Sequence, residues 1–121
     1  MKVIEELNER LEILHSADMI DQKVVDFCQM VISILFKIKE DYSTESLEIF
    51  VTHLAMASQR ALKNEAEGDI SQDIINAVKL DPAYTTAKLF LEKMMKKTDI
   101  VFPDSEKNLL LIHLCNIFGK K

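Results

Sequence analysis

Two histidines, His53 and His113, lie 60 residues apart in closely matching surroundings. Each is inside an apolar segment with helical periodicity, and each is followed directly by a leucine. An apolar helix gains nothing in packing from an imidazole, and burying one must be offset by a hydrogen bond. Histidine is also the side chain that a phosphate donor, a metal ion or a proton near neutral pH most easily changes. These two positions are therefore the best candidates for chemistry.

A charged residue accompanies each of these histidines at a spacing of seven. At about 100° per residue, Arg60 falls within about 20° of His53 on the same helix face. Glu106 likewise shares a face with His113. The third histidine, His15, lies in a more polar stretch, where we expect it to stabilise the C-terminus of its helix.

The composition favours a single folded domain built from helices. The chain has 121 residues, of which 48% are hydrophobic and 29% charged. That length is sufficient for a proper hydrophobic core. Folds made of strands need many turn residues, yet the chain has only two glycines and two prolines. We expect a few long helices with short connections, an all-α fold.

The charge, the cysteines and the hydropathy of the chain indicate which partners and which cellular compartment are possible. The formal net charge is −5, and no basic cluster of the kind that binds nucleic acid is present. Cys28 and Cys115 lie in apolar stretches without a CxxC or metal-ligand spacing, which indicates reduced, buried thiols. The longest apolar stretch, 24–38, is too short and too polar to cross a bilayer. No signal peptide is evident, so we expect a cytoplasmic protein.

Helical periodicity and capping signals predict six helices. The third carries a core stripe of six residues with His53 at its border (Leu47, Phe50, Val51, Leu54, Ser58 and Ala61). A turn through Gly68 follows, and Gly119 is the predicted stop of the last helix. The predicted helices span about 3–15, 22–40 (capped by Asp21), 44–65 (capped by Ser43 or Thr44), 72–79, 82–97 and 103–118.

The second predicted helix is apolar at nearly every angle around its axis. Such a helix is either central to the core or covered by a second copy of the chain. Because 121 residues offer little material to enclose it, we expect a dimer.

From the second helix onward, the chain resembles the phosphotransferase-system regulation domain, an all-helical module of bacterial transcriptional antiterminators and activators of sugar operons. Four features carry the resemblance: His53-Leu54 with Arg60; Gly68 before a short helix; the run from Asp81 to Tyr84 with Ala87; and the run from Pro103 to Glu106 leading to His113-Leu114. It covers about 22–118. One position departs from the pattern, because Thr52 stands where the family usually has an acid.

The resemblance implies a compact bundle of about five core helices at 21–121, with 1–20 as an additional N-terminal helix. It also implies a regulatory domain and not an enzyme. His53 and His113 would accept phosphate from the histidine-phosphocarrier protein or a sugar-specific transporter component, and dimer rearrangement would modulate transcription. Arg60 is then the nearest cation for a phosphoryl group on His53, and Glu106 a residue that holds His113 in one tautomer. No cofactor, metal, nucleic acid or membrane insertion is expected.

The sequence also fits other interpretations. Each histidine also fits a structural role, His53 at a helix border and His113 as a neutral buried residue that fixes helix register. A second function is a degenerate interaction module that keeps the fold but has lost phosphorylation, which Thr52 favours. A metal or catalytic protein has the least support, because no HExxH or Gly-rich phosphate loop is present. The Met1 start and the additional helix favour a complete small protein.

Overall fold

The computed structural model describes residues 2–65 and 71–119. Within these ranges the chain forms six helices and no strand, so the predicted all-α class is confirmed. The predicted turn through Gly68 lies outside the described residues. The helices are α1 (Lys2–Ser16), α2 (Gln22–Ile38), α3 (Thr44–Leu62), α4 (Gln72–Lys79), α5 (Tyr84–Met95) and α6 (Asp104–Gly119).

Local side-chain chemistry accounts for several helix ends. The Ser43 hydroxyl oxygen accepts a hydrogen bond from the Ser46 N–H at 3.3 Å, so of the two predicted caps of α3, Ser43 and Thr44, the structure shows Ser43. At its other end, α3 stops at Leu62 and not at about residue 65, because Asn64 adopts a left-handed φ of 57°. Gly119 was the predicted stop of α6 but lies inside its last turn.

Asp21 was predicted to cap α2 with its side chain, and the structure shows a different contact. It occupies the N-cap position of α2, but among the described residues its side chain makes no capping hydrogen bond. Instead, its backbone N–H donates to the Gln59 side-chain oxygen at 2.9 Å. Gln59 belongs to α3 and is buried. This bond ties the connection between α1 and α2 to the middle helix of the fold.

One hydrophobic core unites the helices. Five of them contribute buried side chains to it, whereas α4 packs only partly buried residues such as Val78 against it. The additional N-terminal helix is part of this core, since Leu7 and Leu11 of α1 are 1% and 0% exposed. The helix before residue 20 thus shares the core of the other helices, and the boundary between 1–20 and 21–121 stays a prediction.

The apolar helix α2 is covered within one chain. Eight of its residues are buried by neighbouring helices, and the exposed large side chain near its end is Ile38. Covering α2 therefore does not require a second copy. Dimerisation stays a prediction, and the burial of α2 no longer supports it.

Helices α3 and α6 pack against each other and carry the predicted histidines. All six residues of the predicted α3 stripe are buried, as expected. On α6, Leu110, Leu114 and Ile117 fill the same core. His53 with His113 and Arg60 with Glu106 are the two pairs that meet across this contact. The helices therefore run antiparallel.

Candidate functional site

His53 and His113 stack directly on one another. Their ring centroids are 4.4 Å apart and the ring planes differ by 22°. His53 comes from α3 and is exposed, whereas His113 comes from α6 and is partly buried. The two imidazoles therefore form one site, in which His53 is the more exposed ring. The sequence singled out both rings but did not predict their contact.

Arg60 and Glu106 form a two-pronged ion pair across the same two helices. The guanidinium Nε donates to one carboxylate oxygen of Glu106 at 2.7 Å, and a terminal nitrogen donates to the other at 3.0 Å. Glu106 is fully buried, and the Arg60 side chain is 21% exposed. A buried carboxylate requires such a partner, because an unpaired charge in the core is strongly destabilising. This pair fixes how α3 and α6 meet.

The two pairs belong to one antiparallel register. Seven residues separate His53 from Arg60 on α3, and seven separate Glu106 from His113 on α6. The histidine comes first on α3 and last on α6. Antiparallel packing therefore places the two histidines together and the two opposite charges together. Seven residues of helix span about 10.5 Å. The ion pair therefore holds the register about two turns from the imidazole stack.

The environment of His113 keeps its ring neutral. Burial is the main cause, and the charge of neighbouring His53 a smaller one, of a pKa lowered from 6.5 to about 4. Its Nε2 atom is buried and has no hydrogen-bond partner within the described ranges. A neutral imidazole has a nucleophilic nitrogen lone pair. However, the Nε2 of His113 is buried, so a donor protein does not reach it in this conformation.

His53 opens into a cleft between α1 and α3. The cleft has a volume of about 360 Å³. On its α1 side, Arg10 donates to a carboxylate oxygen of Glu48 at 2.8 Å, and both side chains are partly exposed. The Thr52 hydroxyl oxygen is buried and lacks a hydrogen-bond partner among the described residues. The lining residues are Arg10, Glu45, Glu48, Ile49, Thr52 and His53.

The four predicted site residues thus lie on one helix contact. The predicted roles of Arg60 and Glu106 concerned the two histidines separately, whereas the structure pairs these residues with each other. Reversed seven-residue spacings in two helices are a sequence signal that could have revealed this pairing. Arg10 was missed as a site residue, because it lies on α1 and the spacing of residues along α3 says nothing about contacts with another helix. His15 lies in the last turn of α1.

Across residues 2–65 and 71–119, no three histidine, cysteine, aspartate or glutamate side chains gather closely enough to hold a metal ion. Within the same ranges, no helix is both long and apolar enough to cross a bilayer. Cys28 and Cys115 are buried free thiols.

One family of known proteins matches the sequence of this helical chain. The sequence profile of the PRD domain matches residues 28–116. The chain therefore belongs to the PRD domain family, as the sequence motifs predicted. No curated protein and no solved structure matches the chain.

Proposed function

We propose that the chain is a regulatory domain whose His53–His113 pair accepts phosphoryl groups from the sugar phosphotransferase system. The immediate donor is the histidine-phosphocarrier protein or a sugar-specific transporter component. Membership of the PRD domain family supports a regulatory, non-catalytic role. The observation that carries the proposal is the imidazole stack, which places one exposed nucleophile against one neutral, partly buried ring.

His53 is the first acceptor in this proposal. Its ring is exposed and borders an open cleft, so a donor protein can approach it. The Nε2 atom of His113 is closed off in the same state. Phosphate on the Nε2 of His113 therefore requires that atom to become exposed, and we expect it to be the slower modification.

A phosphoryl group at this position changes the charge between α3 and α6. It adds close to two negative charges and three acceptor oxygens. Such a group must find a cation or push its surroundings apart. The ring of His113 lies against the modified ring, so its preference for the neutral form is reduced by the new charge. Both effects alter the contact between the two helices.

Arg60 and Glu106 act in this proposal as the clamp that holds the site. For Arg60 to reach a phosphoryl group on His53, it would have to leave both oxygens of a fully buried carboxylate. Breaking a buried pair in this way costs about 3–5 kcal/mol. We therefore assign both residues to positioning the histidines. The changed α3–α6 contact is then passed to a second copy of the chain, and through the dimer to transcription.

Phosphoryl transfer in vitro tests the proposal. The chain is incubated with phosphoenolpyruvate, the kinase that uses it and the histidine-phosphocarrier protein, and phosphopeptides are mapped by mass spectrometry at non-acidic pH. We expect one phosphate, mainly on His53. His53→Ala should remove most of it, and His113→Ala should retain it. His15→Ala is the matched control, because it removes a histidine from a different part of the fold.

Two results would contradict the proposal. One is an unmodified chain in a reaction that phosphorylates a known acceptor. The other is a phosphate that persists unchanged when both His53 and His113 are replaced by alanine.

A second function has one observation in its favour. Thr52 replaces the acid that the family usually carries before its first histidine, and its hydroxyl is unpartnered within the described ranges. A chain that has lost phosphorylation would still offer its fold as an interaction module. In that case a partner protein binds with unchanged affinity when both histidines become alanine. Calorimetric titration of the wild type and the double variant distinguishes the two functions.

A further inference from the structure

The cleft beside His53 is formed with a helix that lies outside the matched family segment. The PRD domain profile begins at residue 28, whereas α1 spans Lys2–Ser16. Arg10 of α1 reaches across to α3 and donates to Glu48 at 2.8 Å. Both residues line the cleft into which His53 opens. The additional helix therefore brings a guanidinium group to the candidate phosphoacceptor.

Arg10 is held much more loosely than Arg60. Its side chain is 44% exposed and that of its partner Glu48 is 37% exposed, with a single hydrogen bond between them. Arg60 makes two hydrogen bonds to a carboxylate with 0% exposure. Ion pairs that are open to solvent contribute little stability. Arg10 can therefore change partners at small cost, which Arg60 cannot.

Two acidic residues in the cleft favour the movement of Arg10 from Glu48 to a phosphoryl group on His53. Glu45 and Glu48 both line the cleft, so a phosphoryl dianion there meets two negative charges. Guanidinium binds phosphate through paired, charge-assisted hydrogen bonds that are stronger than a single bond to an exposed carboxylate. A phosphoryl group on His53 would thus compete with Glu48 for Arg10.

We propose that Arg10 is the phosphate-binding residue of this site: it pairs with Glu48 in the unmodified chain and with the phosphoryl group of His53 after transfer. This inference rests on the proposed function above. Thr52 also lines the cleft, and its hydroxyl is buried and without a partner in the described ranges, so it would have to turn outward to donate to the phosphoryl group. A hydroxyl can donate to a phosphoryl oxygen, whereas an ionised acid at that position would repel it.

The transfer itself needs only the donor. An imidazole nitrogen of His53 attacks the phosphorus of the donor phosphohistidine, so one N–P bond forms as the other breaks. The acceptor ring gives up the proton of its second nitrogen, and the leaving donor imidazole takes up one proton, so no net proton is released. Arg10 takes no part in bond breaking. It acts on the lifetime and the position of the product.

Chemical phosphorylation separates this inference from the proposed function. Phosphoramidate transfers its phosphoryl group to imidazole and releases ammonia, so it needs no phosphocarrier protein. The full chain is treated with phosphoramidate at pH 8, the reagent is removed, and the decay of phospho-His53 is followed by phosphorus NMR. The variants are Arg10→Gln and Glu48→Gln, which break the same ion pair from opposite sides. Lys23→Gln is a control that removes another exposed ion pair, that with Asp99.

The two sides of the ion pair should give opposite results. Phospho-His53 should decay about threefold faster in Arg10→Gln, because the phosphoryl group loses its cation. It should decay more slowly than in the wild type in Glu48→Gln, because the competing carboxylate is gone. Lys23→Gln should match the wild type.

Three outcomes would overturn the inference. The first is an unchanged lifetime in Arg10→Gln. The second is a shift in the same direction in both variants, which would indicate that the ion pair matters only for packing. The third is a His53 that phosphoramidate modifies in the urea-unfolded chain but not in the folded one. A chain that phosphoramidate modifies but the phosphocarrier system does not would remove the proposed donor and leave the role of Arg10 intact.

Discussion

Replacing Arg60 by methionine should destabilise the fold far more than a surface substitution does. The change leaves the carboxylate of Glu106 without the two hydrogen bonds, 2.7 and 3.0 Å long, that it now accepts. Glu106 has 0% exposure, so water cannot replace the guanidinium. Removing one partner of a buried pair costs about 3–5 kcal/mol. That is a large part of the roughly 5–15 kcal/mol by which a typical domain is stable.

Urea denaturation followed by circular dichroism at 222 nm measures this cost directly. Arg10→Met is the matched control, because it breaks an ion pair of similar length, 2.8 Å, whose side chains are 44% and 37% exposed. That variant should lose at most about 1 kcal/mol. The thermal midpoint of Arg60→Met should fall by roughly 9–25 °C, at about 3–5 °C per kcal/mol for a chain of this size.

The double variant Arg60→Met/Glu106→Leu tests whether the unpaired carboxylate causes this loss of stability. It replaces a buried ion pair by apolar side chains, which is often neutral or stabilising. We therefore expect most of the lost stability to return. Equal free energies of unfolding for Arg60→Met and Arg10→Met would refute the reasoning, since burial would then make no difference. A double variant as unstable as the single one would refute it as well.

Further predictions concern the buried titratable groups. The unfolded chain binds a proton at His113 near pH 6.5 that the folded chain, with a pKa of about 4, does not bind. The free energy of unfolding should therefore fall as pH drops from 6.5 towards 4, and urea midpoints for His113→Leu should lack this component. At pH 7, His113→Leu should be close to neutral in stability, because it removes a buried nitrogen that has no partner in the described ranges. Burial raises the pKa of Cys28 to about 12 and that of Cys115 to about 11. Neither thiol should react with Ellman's reagent at pH 8 until the chain is unfolded.

The helices could be predicted well because their signals are local. Apolar residues at helical spacing gave the α3 stripe, and Ser43 gave the start of α3. Asp21 shows the limit of such reasoning. Its residue type suits a cap, but the tertiary contact with Gln59 decides what its backbone does. A local pattern also could not predict that α2 is buried within one chain, because this depends on how neighbouring helices pack over it.

The residues of the site could be predicted from the sequence, but the contacts between them could not. His53, His113, Arg60 and Glu106 were found from residue type and spacing within one helix. Which of them meet depends on the register of α3 against α6, which a single-helix argument does not contain. Arg10 required knowledge that α1 packs beside α3. The missed features are thus all contacts between helices.

Imidazole NMR titration before and after phosphoryl transfer tests the central claim most directly, namely that the two stacked rings respond as one site. In the unmodified chain, His113 should titrate near pH 4. With phosphate on His53, the titration of His113 should move to higher pH, because a dianion beside the ring favours the protonated form, and the phosphorylated chain is followed only at non-acidic pH, where the N–P bond persists. An unchanged His113 titration in a chain with fully phosphorylated His53 would contradict the account.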